Sequence, residues 1–248
     1  MLVSLSSIFS SKPSSNIANL NTNRYLILAM LSDQGVPART IAPKFTGAFN
    51  KGVDYQGDLA AFAREFEDDL IVIKHAAPAL GLPHDLKLSV HSGSDKFSLY
   101  PIINRLTKKY DAGLHLKTAG TTWLEEIAAL AVSGDAGRDL AVHVYREGLQ
   151  RYAEMVAPYA TVLHIDPQQL PSVEALASWD GARLAAAIRH DQSNPLYSEH
   201  VRQLFHIAYK VAAEAGPRYF ALLDAHAPAV NAAVLENLWA RHIRPVWA

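Results

Sequence analysis

The sequence predicts an α/β protein built from parallel β-strand–α-helix–β-strand units. Two short apolar runs, Leu86–Val90 and Ala112–Leu116, are each followed by a polar loop and then by a segment with helical spacing of apolar residues. A further apolar run, Ala38–Ala42, precedes them, and Ala160–Ile165 follows them. We therefore expect about four strands alternating with helices, followed by a mostly helical C-terminal tail.

The helices are predicted from apolar residues three or four positions apart and from capping signals. Asp58 is expected to cap a helix that ends near Gly81–Pro83, and Thr122 with Glu125 to form a capping box that opens a helix over Trp123–Val132. The other predicted helices are Arg24–Ser32, Leu99–Tyr110, Arg138–Ala157, Gly181–His190, Ser198–Ala215, Pro217–His226 and Ala229–Arg241.

The N-terminal residues Met1–Asn23 differ in composition from the rest of the chain. They are rich in Ser and Asn and lack both the basic start and the long apolar stretch of a secretory signal. We expect residues 1–23 to be a disordered lead-in, and residues 24–248 to form the folded domain with its helical C-terminal extension.

Composition argues against several classes of function. The 248 residues carry a net charge of -1 without a basic stripe, which argues against a nucleic-acid partner. The absence of cysteine excludes disulfides, thiolate nucleophiles and cysteine-based zinc sites, and fits a cytoplasmic protein. No apolar run is long enough to span a membrane. Eleven histidines make metal or acid–base chemistry the class to examine.

Polar residues gather in the loops that follow three predicted strands. These loops contain Lys44–Asp54, His91–Lys96 and Lys117–Thr122. In open parallel sheets and in (β/α) barrels, ligands bind outside the carboxyl ends of the strands. We therefore expect the three loops to meet at one face and to form the wall of an active site.

His91 and His115 stand at the ends of two of these strands. Neutral imidazoles from neighbouring strands suit Zn, Mn, Fe, Co or Ni. No HxH or HExxH spacing distinguishes metal ligands from hydrogen-bonded structural histidines, so residue types alone leave both interpretations open. Asp95 is likewise a metal ligand, a group that orients a histidine, a general base or a helix cap.

Four lysines, Lys44, Lys51, Lys96 and Lys117, lie in or beside the same loops. A cluster of ammonium groups suits an anionic substrate, although each lysine alone is also compatible with a solvated surface position. The loops contain no glycine-rich phosphate motif, so a carboxylate is the favoured anion.

Several long runs resemble the tagaturonate epimerase family. The resemblance extends from about Val36 to the C-terminus and corresponds to the C-terminal portion of the family's members. The runs that carry it are APKFTGAFNKGVDY (Ala42–Tyr55), LSVHSGSDKFSLYP (Leu88–Pro101), DAGLHLKTAGTTWLEE (Asp111–Glu126), APYATVLHIDP (Ala157–Pro167) and RQLFHIAYKVAAE (Arg202–Glu214).

This resemblance implies a TIM-barrel-like (β/α) fold, here the incomplete C-terminal part of the barrel, and a divalent metal held by His91 and His115. Within the matching runs, Asp95, Lys96 and Asn50 are our candidate catalytic residues. The candidate substrate-binding residues are Lys44, Lys51, Asp54, Lys117 and Thr118. The expected ligand is a small ketouronate, and a homo-oligomer is compatible with the sequence.

The resemblance also implies interconversion of D-tagaturonate and D-fructuronate in hexuronate breakdown. These sugars differ at the carbinol carbon β to the ketone (C4, with the ketone as C2), whose hydrogen the carbonyl does not acidify. Retro-aldol cleavage of C3–C4 followed by re-addition avoids this difficulty, whereas oxidation at C4 would need a nicotinamide and no GxGxxG fingerprint is present. The alternatives are a metal-dependent ketose or uronate isomerase and an inactive fragment that needs further strands.

Overall fold

A computed structural model describes residues 15–90 and 94–248. The chain is mostly helical with one small three-stranded sheet, in the order β1-β2-β3. The prediction of an α/β protein is thereby confirmed. The described residues divide into two compact units, one made of residues 15–46, Asp58–Val90 and Arg105–His115, and the other of Gly47–Gly57, 94–104 and Leu116–Ala248.

The first unit combines two long helices with the strands. Its elements are α1 (Ser15–Asp33), β1 (Thr40–Ile41), α2 (Leu59–Ala79), β2 (Lys87–Val90), the end of α3 (Tyr100–Tyr110) and most of β3 (Leu114–Leu116). β1 and β2 pair in parallel, with Thr40 opposite Lys87 and Ile41 opposite Leu88. The expected cap at Asp58 is confirmed, because its carboxylate accepts hydrogen bonds from the backbone N–H groups of Ala60 and Ala61.

Aromatic packing and a buried ion pair stabilise this unit. The rings of Phe45, Phe62 and Phe66 contact one another, with centroids 5.1 to 5.9 Å apart. Arg24 of α1 forms an ion pair with Asp69 of α2, whose side chain is fully buried. Burial raises the pKa of Asp69 to about 7 in spite of the neighbouring guanidinium.

The second unit is helical and is built around α4 (Ala119–Val132), whose residues 127–131 are all buried. The elements that follow are α5 (Asp135–Gln150), α6 (Tyr152–Val156), α7 (Val173–Ala177), α8 (Gly181–Ile188), α9 (Glu199–Ile207), α10 (Tyr209–Ala215), α11 (Pro217–Ala225), α12 (Ala227–Leu235), a π-helix (Glu236–Ile243) and α13 (Arg244–Trp247).

The expected strand at Ala160–Ile165 is wrong. This segment is irregular, and its backbone is satisfied without a sheet. The Gln203 side-chain amide both accepts from the His164 N–H, at 2.9 Å, and donates to the His164 carbonyl, at 3.1 Å. The Val162 carbonyl accepts from the Lys51 N–H at 2.8 Å. A side-chain amide thus supplies the pair of hydrogen bonds that a neighbouring strand would supply.

The expected capping box at Thr122 and Glu125 is also wrong. α4 begins three residues earlier, at Ala119, with Thr118 as its N-cap. Glu125 is buried inside the unit, where its carboxylate accepts a hydrogen bond from the Asn237 side chain. A capping motif inside an apolar run is equally compatible with a polar contact in the core, and here the core contact prevails.

Residues 15–23 of the expected lead-in belong to α1, whereas residues 1–14 lie outside the described part of the chain. Over residues 15–90 and 94–248, no helix is both long enough and apolar enough to cross a membrane.

Candidate functional site

An ion pair between Asp95 and Arg202 lies at the centre of the second unit, and both side chains are inaccessible to solvent. Arg202 Nη2 donates to Asp95 Oδ2 at 2.8 Å, Nη1 donates to the Ile188 carbonyl at 2.6 Å, and Nε donates to the Gly52 carbonyl. One guanidinium therefore joins the loop of residues 47–57, the segment that begins α3 and the end of α8.

Asp95 has little freedom to act as a base. Its Oδ1 accepts from the Thr121 hydroxyl at 2.9 Å, and its backbone N–H donates to His242 Nε2 at 3.1 Å. Its φ of +62° lies in the left-handed region, so these contacts also maintain an unfavourable backbone conformation. Although burial opposes ionisation, Arg202 and the neighbouring histidines hold the pKa of Asp95 well below its usual range.

His242 reaches this centre from the π-helix. Its Nδ1–H donates to the Asn237 carbonyl at 2.8 Å, five residues earlier, which leaves Nε2 as the acceptor for the Asp95 N–H. Burial lowers the pKa of His242, in keeping with a neutral imidazole. π-Helical turns are rare and frequent at functional sites.

Lys96 is buried next to Asp95 and points into a ring of carbonyl oxygens. Its Nζ donates to Val53 at 2.6 Å, to Asn50 at 2.8 Å and to Ser94 at 3.4 Å. Burial lowers the pKa of Lys96 to about 8. The candidates Asn50 and Lys96 thus meet, through the Asn50 backbone carbonyl.

Asp54 fixes the same two segments from the other side. Its carboxylate accepts hydrogen bonds from the Ser98 hydroxyl, at 2.9 Å, and from the backbone N–H groups of Ser98 and Tyr55. The loop of residues 47–57 is therefore fastened to residues 95–98 by two charged side chains, Lys96 and Asp54.

A cavity of about 660 Å³ opens beside this centre. Lys51, Lys117 and His206 line one end of it, and the same three residues line a second cavity of about 360 Å³. The Lys51 ammonium lies 4.6 Å from the centre of the Tyr159 ring. Burial and the Lys117 charge lower the pKa of Lys51. The shared wall is therefore a site for an anion.

His206 is held closely by two glycines. A Cβ at Gly120 would lie 2.3 Å from His206 Nε2, and a Cβ at Gly52 would lie 3.0 Å from His206 Cδ2. Burial, reinforced by the Lys51 charge, lowers the pKa of His206 to about 4. A neutral imidazole therefore stands next to two ammonium groups at neutral pH.

The far end of the larger cavity is aromatic. Trp123, Tyr219 and Phe220 line it, together with Glu126, whose carboxylate accepts a hydrogen bond from the Tyr219 hydroxyl. Aromatic faces pack well against the C–H faces of sugars, while the cationic end can hold a charged group. The cavity can thus bind a small polar molecule with one anionic end.

The remaining candidates lie elsewhere or cannot be placed. His91 lies outside the described residues. His115 belongs to the first unit, where its Nδ1 is 3.2 Å from the Ser89 hydroxyl. Lys44 is exposed in the same unit, and Thr118 is the N-cap of α4.

The donor set that the structure describes is compatible with a metal ligand at His115 but does not make a complete centre. When His115 Nδ1–H donates to Ser89, the Nε2 lone pair is free to bind a cation. Among residues 15–90 and 94–248, no three His, Asp or Glu side chains converge on one point suited to a metal.

Sequence reasoning missed Arg202, His206 and His242. Arg202 and His206 lie four residues apart in the run RQLFHIAYKVAAE, so both occupy the same face of a helix. That spacing, with two charged or polar side chains between apolar ones, was the available signal. Nothing in the sequence indicated that His242 belongs to a π-helix.

Comparison with known proteins gives a consistent result. The sequence model of a family described as tagaturonate epimerase matches residues 15–224. A protein of Thermotoga maritima named tagaturonate/fructuronate epimerase is 34% identical over 184 residues, which are 74% of this chain and 33% of that protein.

Crystal structures of the fructuronate-tagaturonate epimerase of Cohnella laeviribosi resemble the chain as well. A glycerol complex matches with a TM-score of 0.72 at 27% identity, and the native enzyme with a TM-score of 0.70 at 26% identity. Each match covers 91% of this chain and 42% of the solved one. The chain spans about a third of the Thermotoga protein and less than half of the Cohnella protein.

Proposed function

Because this chain belongs to the tagaturonate epimerase family, we propose that it takes part in the interconversion of D-tagaturonate and D-fructuronate. The observation that carries the proposal is the cationic end of the larger cavity, where Lys51 and Lys117 stand beside His206. The epimerase names of the relatives supply the reaction, and the cavity supplies a matching place for its substrate.

The substrate's carboxylate binds between Lys51 and Lys117 in this proposal. Two ammonium groups that lower each other's pKa gain most from an anion, because the anion removes their mutual repulsion. The polyol chain then extends toward Trp123 and Tyr219.

The proposed chemistry is a retro-aldol reaction and its reverse. A base takes the C4 hydroxyl proton, the C3–C4 bond breaks, and its electron pair moves into an enediolate over C2 and C3 while C4 becomes an aldehyde. The aldehyde presents its other face, and the bond reforms with C4 inverted. The C4 hydrogen stays on carbon throughout.

His206 is better suited to the proton transfer than Asp95. The imidazole is neutral at pH 7 and lines the cavity, whereas the Asp95 carboxylate is buried, paired with Arg202 and strongly acidic. In this proposal Asp95, Lys96, Asn50 and Asp54 position the loops that carry Lys51 and the start of α3.

A divalent metal is part of the proposal, with His91 and His115 among its ligands. The Ser89 hydroxyl supports it, because it can fix the His115 tautomer that leaves Nε2 available. When bound, such a cation polarises a ketone as a Lewis acid. For the fold, we propose a segment of a TIM-barrel-like (β/α) assembly, which the parallel β1–β2 pair with an intervening helix supports.

The test is conversion of D-tagaturonate to D-fructuronate by the purified chain, with Zn, Mn or Ni added and EDTA as control. Lys51→Met and Lys117→Met are each expected to raise KM about tenfold or more, because each removes one charge-assisted contact with the carboxylate. Lys108→Met, which removes an exposed charge from α3, is the matched control and leaves KM unchanged.

Isotope incorporation separates the proposed chemistry from its rivals. Turnover in deuterium oxide is expected to leave C4 unlabelled, so deuterium at C4 would contradict the retro-aldol route. Deuterium beside the ketone would instead identify an isomerase that acts through an enediol. A folded chain without conversion under any metal would favour an inactive fragment.

A further inference from the structure

Four large apolar side chains are exposed along the C-terminal helix. Leu235 is 65% exposed, Trp239 53%, Ile243 40% and Trp247 46%. Single exposed apolar residues are ordinary, but two tryptophans in a continuous row are not. We name these four residues the C-terminal stripe.

The geometry of the helix keeps the stripe on one side. Side chains four apart drift around an α-helix of 3.6 residues per turn. The π-helix Glu236–Ile243 has more residues per turn, which counteracts that drift. The opposite side of the helix is buried through Asn237, His242 and Val246. The stripe therefore faces outward as a straight apolar ridge about 18 Å long.

We propose that the C-terminal stripe binds the same stripe of a second copy of this chain, with the two helices antiparallel across a twofold axis near position 241. In that arrangement Leu235 faces Trp247 of the second copy, and Trp239 faces its Ile243. The four positions are spaced symmetrically about 241, so the ridge is complementary to itself, as a twofold interface requires.

The charges beside the stripe favour the same arrangement. Glu236 follows Leu235 and Arg244 follows Ile243, so both exposed side chains lie on the same flank. In an antiparallel pair this flank faces its counterpart, and Glu236 comes within about 3 Å, measured along the axis, of Arg244 of the second copy. Two opposite-charge contacts form, one at each end of the interface. A parallel pair would instead place like charges together.

Tryptophan is also the residue type most enriched at the energetic centres of interfaces. The surface does not overlap the cationic cavity, so this proposal is independent of the proposed function.

Association is measured by sedimentation velocity over a range of concentrations of the full chain, which is expected to be dimeric. Trp239→Glu is expected to weaken the dimer at least about 30-fold, the size typical of an interface hot spot. Leu196→Glu is the matched control, because it places the same charge on another exposed apolar residue and should leave the dimer intact. Circular dichroism verifies that each variant is folded.

Charge reversal tests the antiparallel register. Glu236→Arg and Arg244→Glu should each weaken the dimer, and the two together should restore it. Since the chain has no cysteine, a spin label at Asn231→Cys reports the direction: antiparallel helices place the two labels about 30 Å apart, and parallel helices about 10 Å. A monomeric chain, a dimer insensitive to Trp239→Glu, or labels about 10 Å apart would overturn the proposal.

Discussion

His206 joins a chemical property to a packing constraint. The imidazole lies against the Cα atoms of Gly52 and Gly120, beside Lys51 and on the wall of both cavities. Protonation would place a third positive charge next to Lys51 and Lys117. The site therefore favours a neutral ring, which can accept a proton from a hydroxyl group but is slow to retain it.

This preference predicts a pH dependence of stability. The pKa of His206 is lowered from 6.5 to about 4 in the folded protein, so the unfolded chain binds more protons between these values. The His206 contribution is complete above pH 6.5 and is lost as the pH falls. By pH 4 the loss is about 2–3 kcal/mol of the unfolding free energy.

Urea unfolding at pH 7 and pH 4 measures this effect. His206→Gln should reduce the difference in unfolding free energy between the two pH values, while His75→Gln, on the exposed side of α2, should not. An unchanged difference in the His206 variant would show that the folded state tolerates the imidazolium.

At the residue scale, the sequence was informative about Lys51 and Lys117 because position after a strand predicts the side of the sheet. It could not identify the role of Asp95, because a carboxylate after a strand is compatible with a base, a ligand and an ion pair. The choice depends on Arg202, more than one hundred residues later. A long-range partner of this kind leaves no local pattern.

Among the elements, α1 and α2 are joined by a contact that composition does not indicate. Arg24 is the ion-pair partner of the buried Asp69. Arg24→Met is expected to cost about 3 kcal/mol of unfolding free energy, because it leaves a carboxylate buried without a counterion.

The double variant Arg24→Met/Asp69→Leu should recover most of that loss, since an apolar pair has no charge to desolvate. Chemical denaturation of the two single variants and the double variant forms a complete cycle. A double variant no more stable than Arg24→Met would show that the ion pair contributes little coupling.

Element boundaries were predicted best where a local chemical signal exists. Asp58 has a free carboxylate at a helix start, and Gly81, with a φ of +70°, follows the end of α2. The segment Ala160–Ile165 has the alternation of a strand, but Gln203 supplies its hydrogen bonds. Apolar patterning predicts burial, and it does not say which group satisfies the backbone.

At the scale of the whole molecule, the second unit is assembled from three stretches of chain. Arg202 contacts all of them, through Gly52, Asp95 and Ile188. Arg202→Met is expected to cost about 3–5 kcal/mol, because it removes three buried hydrogen bonds and leaves the Asp95 charge unpaired.

Hydrogen–deuterium exchange distinguishes a shared role from a local one. Residues 47–57 and 94–104 should lose protection together in Arg202→Met, whereas Arg218→Met, on an exposed face of α11, should leave both unchanged. Loss of protection in only one stretch would contradict the role assigned to Arg202. The division into two units could not be predicted, because no linker-like composition separates the interleaved stretches.

Lys96 can also be described in the language of coordination chemistry. Its ammonium group is a monovalent cation on a tether, held by the carbonyl oxygens of Val53, Asn50 and Ser94. Lys96→Ala would remove the tether and leave the oxygen ligands in place. We expect ammonium or potassium chloride to raise the melting temperature of that variant more than tetramethylammonium chloride at equal concentration, because only the small cations fit. Chemical rescue of this kind would convert a structural lysine into a salt requirement.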